Sequence, residues 1–245
     1  MIDPRVSVIN RRLEKVKRII AVSSGKGGVG KSMVATTLAL TLKKQGCKVG
    51  LFDLDFTSPS THVILNAQVT VPQEDKGIVP PTVNGLEYMS LVYFVGENPA
   101  PLRGADVSNA LIELLAVTQW DNLDYLVIDM PPGIGDVILD LLRLIKRIEF
   151  LIVTTSSLLA FETVKKQVAL LCGLKAPIIG VVENMKQTPS SNIAIETGKI
   201  GLRFLAEISF DPTVETAIGN EEKLLGTSIG RTLERVVEKD ILVKG

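Results

Sequence analysis

Residues 18–24 read R-I-I-A-V-S-S, residues 25–32 read G-K-G-G-V-G-K-S, and residues 33–45 read M-V-A-T-T-L-A-L-T-L-K-K-Q. An apolar run, a glycine-rich loop and a helical pattern thus follow one another from Arg18 to Gln45. The loop satisfies G-x-x-x-x-G-K-[ST] at Gly25, Gly30, Lys31 and Ser32, with the strand and helix that a P-loop requires on either side. Glycines let successive backbone N–H groups turn inward as an anion nest at a helix N-terminus, where the helix dipole favours negative charge. Lys31 is placed to reach β- and γ-phosphates, and the Ser32 hydroxyl to ligate Mg²⁺. The candidate nucleotide cradle is Gly25, Lys26, Gly27, Gly28, Val29, Gly30, Lys31, Ser32 and Met33. A glycine-rich turn that binds nothing is the competing reading, and the fit of motif and flanks disfavours it.

The chain of 245 residues is 46% hydrophobic but only 4% aromatic. Its core must therefore be built from Ile, Leu, Val and Ala, as buried parallel strands are. Lys plus Arg and Asp plus Glu number 27 each, so no global field favours nucleic acid or acidic lipid. No secretory leader and no apolar run of spanning length is read, and a soluble cytoplasmic protein is expected, with neither membrane nor nucleic acid as partner. Two cysteines, Cys47 and Cys172, and one histidine, His62, support neither a disulfide framework nor a C-x-x-C metal site. Both cysteines are expected as small buried hydrophobes, and His62 as a structural residue.

The alternation of strand and helix patterns continues to the end of the chain and predicts an α/β fold, a mostly parallel twisted sheet with helices on both faces. Without linker or repeat, residues 1–245 read as one domain, with 1–18 as a helical extension. In that extension Ile9, Leu13 and Val16 recur at helical spacing among arginines and lysines, which predicts a helix lying on the sheet edge with a solvated basic face. Strands are expected at 48–55, 123–129, 150–155, 178–182 and 204–208. Helices are expected at 106–119, 134–148, 160–172 (stopped by Gly173) and 192–199, and at the end around Ile229, Leu233, Val236, Val237 and Ile241. Asn84-Gly85 predicts a hairpin beside the main sheet.

Two strand ends carry carboxylates. Asp53 and Asp55 close the strand after the P-loop helix, where ligands bind in open parallel sheets, though Asp is also common in turns there. The apolar run 123–128 closes on Asp129, a Walker B pattern whose carboxylate would hold Mg²⁺ through water. Gly133, in D-M-P-P-G, is placed to offer its N–H to a γ-phosphate.

Lys26, directly after the first glycine, makes the loop resemble the deviant Walker A of the MinD/ParA/Mrp/nitrogenase-iron-protein group of ATPases. S-S-G-K-G-G-V-G-K-S, D-L-D with a following S-P-S, L-D-Y-L-V-I-D-M-P-P-G-I-G-D, I-V-T-T and G-V-V-E-N-M together are similar to the Mrp/ApbC family of iron–sulfur carrier ATPases. The resemblance implies a slow, Mg²⁺-dependent ATPase acting as a homodimer on a client protein. By it Lys26 reaches the partner subunit's phosphates, Asp55 orients the attacking water and Asp53 lies near magnesium. Catalysis then rests on Lys26, Lys31, Asp55 and Asp129, the metal on Ser32, Asp53 and Asp129, and the base on Asn184, Asp211 and Pro212. Carriers of this family place C-x-x-C shortly after E-N-M. Here that stretch, residues 186–192, is K-Q-T-P-S-S-N without a thiolate, so a bound iron–sulfur cluster is not expected. A MinD/ParA-like positioning ATPase on membrane or DNA, and a small-molecule kinase, are the alternatives.

Overall fold

The computed structural model describes residues 4–96, 104–187 and 191–242. Arg103 and residues 188–190, part of the stretch that lacks the C-x-x-C, lie outside the described residues. In chain order the first half holds α1 (Arg5–Leu13), β1 (Arg18–Ser23), α2 (Lys31–Lys44), β2 (Val49–Asp53), α3 (Thr61–Leu65), β3 (Gln73–Glu74), β4 (Ile78–Val79), β5 (Thr82–Val83), β6 (Leu86–Ser90), α4 (Val92–Val95) and α5 (Ala105–Val117). The second half holds β7 (Tyr125–Asp129), α6 (Asp136–Leu144), β8 (Ile148–Thr154), α7 (Leu158–Gly173), β9 (Ile178–Lys186), α8 (Ile193–Lys199), β10 (Phe204–Ser209), α9 (Thr213–Ala217), α10 (Glu221–Leu225) and α11 (Ser228–Val236). A π-helical turn, Val237–Ile241, extends the last helix.

Eight strands form one sheet in the order β10-β9-β8-β1-β7-β2-β6-β5, parallel throughout except for β5 against β6. The expected mostly parallel α/β architecture is present. β1, β2 and β7 are buried at nearly every residue, the signature of strands covered on both faces. α2 lies against β1, β2 and β7 under α10 and α11. It is buried from Val34 to Leu42, which explains a helix sequence with no polar face. The last helix buries Ile229, Leu233, Val236, Val237 and Ile241, as the spacing predicts.

Several expectations are corrected. α1 buries Ile9 and Leu13 but packs on α5 and α6 instead of a sheet edge. Its Arg12 donates to the Ala116 carbonyl (3.1 Å) and to Lys76 O, so part of its basic face caps backbone carbonyls. Arg18 opens β1 and forks onto Glu149 of β8 at 2.8 and 3.1 Å. The hairpin turn has left-handed Asn84 (φ +48°) and Gly85 (φ +74°), but β6 joins the main sheet beside β2 and is not separate from it. α7 runs through Gly173, and the left-handed residue after it is Lys175 (φ +57°). Cys47 is half-buried and Cys172 exposed, against the expectation that both are core residues.

Candidate functional site

Parallel strands deliver their C-terminal ends to one rim, and buried polar residues collect there: Ser23 and Ser24 at the end of β1, Asp53 and Asp55 at the end of β2, Asp129 closing β7, Thr154 closing β8, and Glu183 and Asn184 in β9. The register puts Asp53 of β2 directly beside Asp129 of β7, and Asp129 beside Val22 of β1. The sequence-predicted phosphate loop and the carboxylates of both candidate strand ends therefore meet at one place.

The loop between β1 and α2 is shaped by its neighbours. Gly30 is left-handed (φ +77°) and caps α2. A Cβ on it would meet Asn184 Nδ2 at 2.3 Å, and one on Gly25 would meet Thr163 of α7 at 2.5 Å. Both positions therefore exclude a side chain. Asn184 Nδ2 donates to the Val29 carbonyl at 2.9 Å, so this amide also braces the loop. Among the described residues, no backbone hydrogen bond outside helices and strands begins at an N–H between Lys26 and Gly30. The same loop lines a cavity of about 540 Å³, with Asp55, Thr57, Ser58 and Pro132 also in its wall. Met33 and Gly30 also border a second cavity of about 440 Å³, which Asn184, Asp211 and Pro212 line. The two cavities adjoin, sharing Gly30 and Met33 in their walls.

Lys31 is buried, and its Nζ donates to Asp129 Oδ1 at 2.5 Å, with Ser32 Oγ at 3.3 Å and Asp55 Oδ2 at 4.0 Å. Asp129 Oδ2 is buried without a hydrogen-bond partner among the described residues. An orphaned carboxylate oxygen close to a serine hydroxyl fits a hydrated divalent cation held through water. Among the described residues no three His, Cys, Asp or Glu side chains converge as a metal site. A magnesium ion here would draw most of its ligands from phosphate and water. Lys26 is exposed at the loop's rim.

Asp53 behaves differently from its neighbour. Its Oδ1 accepts from the Asp55 amide (3.0 Å) and its Oδ2 from the Thr61 hydroxyl (2.6 Å) and amide (3.3 Å), while Tyr88 Oη lies 2.8 Å from that hydroxyl. Both oxygens are engaged in tethering the start of α3, which leaves Asp53 less suited than Asp129 to face a metal. Burial, followed by the charge of Asp129, raises its pKa to about 7. The folded value lies above the ordinary 3.8, so the folded chain binds this proton more tightly than the unfolded one. The stability this contributes is full below about pH 4 and is lost as pH rises through 7. Unfolding free energy should therefore fall between pH 4.5 and 8 by up to about 3 kcal/mol more in the wild type than in Asp53→Asn. Urea titrations of both proteins across that range measure it, and parallel pH profiles would refute it.

Asp55 Oδ1 accepts from the Thr57 hydroxyl (2.8 Å) and the Ser58 amide (3.2 Å), which folds the following loop over the cavity. Gly133 (φ +89°) donates its N–H to the Ser24 carbonyl at 2.9 Å. That amide is engaged with β1's continuation and not turned to the hollow. Asp211 accepts from the Thr213 hydroxyl (2.5 Å), the Ser228 amide (2.9 Å) and the Thr213 amide (3.0 Å), which lower its pKa to about 2. Its carboxylate caps α9 and α11 while the residue lines the second cavity. Sequence reasoning did not find Thr61, Tyr88 or Ser24, which hold the named residues in place, nor Thr163, which crowds Gly25, because no local pattern marks a tertiary partner.

A family profile described as ParA, NUBPL iron-transfer P-loop NTPase, matches residues 15–239. The chain is 44% identical over 184 residues to an iron-sulfur cluster carrier protein of Pseudomonas fragi, an alignment covering 74% of this chain and 64% of that protein. It therefore spans somewhat less than two thirds of that curated relative. A solved nucleotide-binding protein in complex with ADP from Archaeoglobus fulgidus is 30% identical with a TM-score of 0.73, covering 96% of this chain and 95% of that one. The cell division ATPase MinD of Pyrococcus furiosus, 19% identical with a TM-score of 0.63 over 91% of this chain and 98% of its own, shares the fold.

Proposed function

The chain belongs to the ParA family of NUBPL-type iron-transfer P-loop NTPases, and from that premise we propose that it is an Mg²⁺-dependent ATPase. In this reading it works as a homodimer whose nucleotide cycle gates a client protein in iron–sulfur cluster assembly. One observation carries the proposal: a loop whose amides from Lys26 to Gly30 lack backbone acceptors among the described residues lines a cavity beside an assembled Lys31–Asp129–Ser32 group. Amides, a lysine and a serine hydroxyl in that order are what a triphosphate needs. Magnesium, when bound, would neutralise charge developing between the β- and γ-phosphates, held by Ser32 and, through water, by Asp129.

The residues divide the work. Amides from Gly25 to Met33 hold the phosphates, and Lys31 exchanges its hydrogen bond with Asp129 for a phosphate oxygen. Asp55, on the loop over the cavity, orients the attacking water. Gly133 releases Ser24 and turns its N–H to the γ-phosphate, a local switch. Asn184, Asp211 and Pro212 border the base. Asp53 sets the geometry through Thr61.

The chain does not itself ligate a cluster in this reading. Support comes from the thiolate-free sequence after Met185 and from where the two cysteines sit. Cys172 lies in the last turn of α7 before β9, and Cys47 precedes β2. Both therefore lie at the strand-start side of the sheet, opposite the P-loop. The iron–sulfur cluster would then be the client's cargo.

Isothermal titration with Mg·ADP and a non-hydrolysable Mg·ATP analogue tests the nucleotide site. One molecule bound per chain is expected, and no heat for either would overturn the whole reading. Anaerobic reconstitution with iron and sulfide tests the cargo clause, since a stable stoichiometric chromophore on this chain would refute it alone.

A further inference from the structure

A further cavity lies away from the P-loop. It is a groove of about 590 Å³ along β10 and the last helix, lined from Phe204 to Ser209 on one side and from Ser228 to Asp240 on the other. β10 is an edge of the eight-stranded sheet, so one side of its backbone has no strand partner among the described residues. Such an edge is a template for another chain unless it is blocked.

The helical wall is basic in a regular way. Arg231, Arg235 and Lys239 recur every four residues, all three exposed and all three lining the groove. The nearby carboxylates are engaged elsewhere. Glu234 pairs with Lys44 at 2.7 Å and Glu238 accepts from Gln45 at 3.3 Å. Asp240 pairs with Arg203, and Glu207 with Lys186. Arg231 and Arg235 donate only to neutral acceptors, the Gly226 carbonyl and the Thr232 hydroxyl. None of the three cations has an ion-pair partner among the described residues.

Four helical residues advance about 6 Å, and two residues of an extended strand advance about 6.7 Å. The cations are therefore spaced like the side chains on one face of a β-strand laid beside them. We propose that this groove docks an acidic, extended segment of a partner protein, added as a further strand on β10. Its alternate Asp or Glu side chains meet Arg231, Arg235 and Lys239, and its backbone pairs with the free edge of β10. The inference does not rest on the nucleotide reading: Arg231, Arg235 and Lys239 line neither the P-loop cavity nor the one beside it, although the groove shares Ser209 and Ser228 with the latter.

The test uses the full chain and a fluorescent octapeptide alternating Glu with Thr and Val, compared with the same peptide carrying Lys for Glu. The Glu peptide is expected to bind, to weaken with added salt, and to lose about tenfold in affinity in R231E/R235E. The Lys peptide is expected not to bind. Hydrogen exchange should slow at β10 amides when the Glu peptide is present. Where circular dichroism shows R231E/R235E misfolded, R231Q/R235Q is expected to give the same loss in smaller measure. Absence of Glu-peptide binding, binding indifferent to both double variants, or protection elsewhere than β10 would overturn the proposal. Tighter binding of single-stranded DNA or of phosphatidylserine vesicles through the same arginines would overturn it in favour of a nucleic-acid or lipid surface.

Discussion

Lys31→Met is expected to weaken Mg·nucleotide binding by at least about a hundredfold and to destabilise the free chain by about 3 kcal/mol. The two effects have one origin. Lys31 is buried and donates at 2.5 Å to Asp129, which is fully buried. Removing the ammonium leaves a desolvated carboxylate alone beside Asp53, its neighbour in the sheet register. Burial already raises the Asp129 pKa while Lys31 pulls it back, so the variant should take up a proton and recover stability at lower pH. Adding Asp129→Asn should restore most of the lost stability at neutral pH, because a neutral amide no longer needs the ammonium. It should restore none of the binding, because phosphate still lacks its lysine. Chemical denaturation of the wild type, both single variants and the double variant measures the coupling. Equal, additive losses would show that the pair is not the unit the geometry describes.

That pair illustrates what a sequence discloses and what it withholds. Gly25 to Ser32 and Asp129 are legible because their chemistry is written in consecutive residues: a loop needs its glycines in order, and a buried strand announces itself by unbroken apolar character. The parallel sheet follows from the same runs. The tether on Asp53 is not legible. It depends on Thr61, eight residues further on, and on Tyr88 in another strand, and only the β2–β6 pairing brings that tyrosine near. Likewise the periodicity of Ile9 and Leu13 identifies an amphipathic helix but cannot say that α5 and α6 cover it. Gly173 is a sound helix-stop signal, yet α7 continues one residue beyond Cys172 and turns at Lys175, where the chain must drop toward β9. Asn184 is the most instructive case. Resemblance assigns it to the base, and the fold also presses its amide onto Val29, so the loop's shape and the base cavity share one side chain.

Lys26→Ala carries the other large effect: turnover should fall by about three orders of magnitude while nucleotide affinity changes only a few-fold. Lys31 has its place inside the protomer, bonded to Asp129. Lys26 stands exposed on the rim of the same cavity, where an ammonium contributes little to binding in its own subunit and is free to reach a facing one. If it acts across a dimer, wild-type activity per chain should rise with protein concentration, and Lys26→Ala should be inactive at every concentration. Mixing then separates trans from cis. Lys26→Ala keeps an intact cradle but supplies no lysine, whereas Lys31→Met/Asp129→Asn supplies Lys26 but binds no nucleotide. The second variant is chosen over Lys31→Met alone because its fold is not burdened by an orphaned carboxylate. Each protein alone should be silent, and the mixture should recover a substantial part of wild-type turnover through one competent site per mixed dimer. A mixture as inactive as its components, with mixed dimers verified by analytical ultracentrifugation, would mean that Lys26 serves its own subunit.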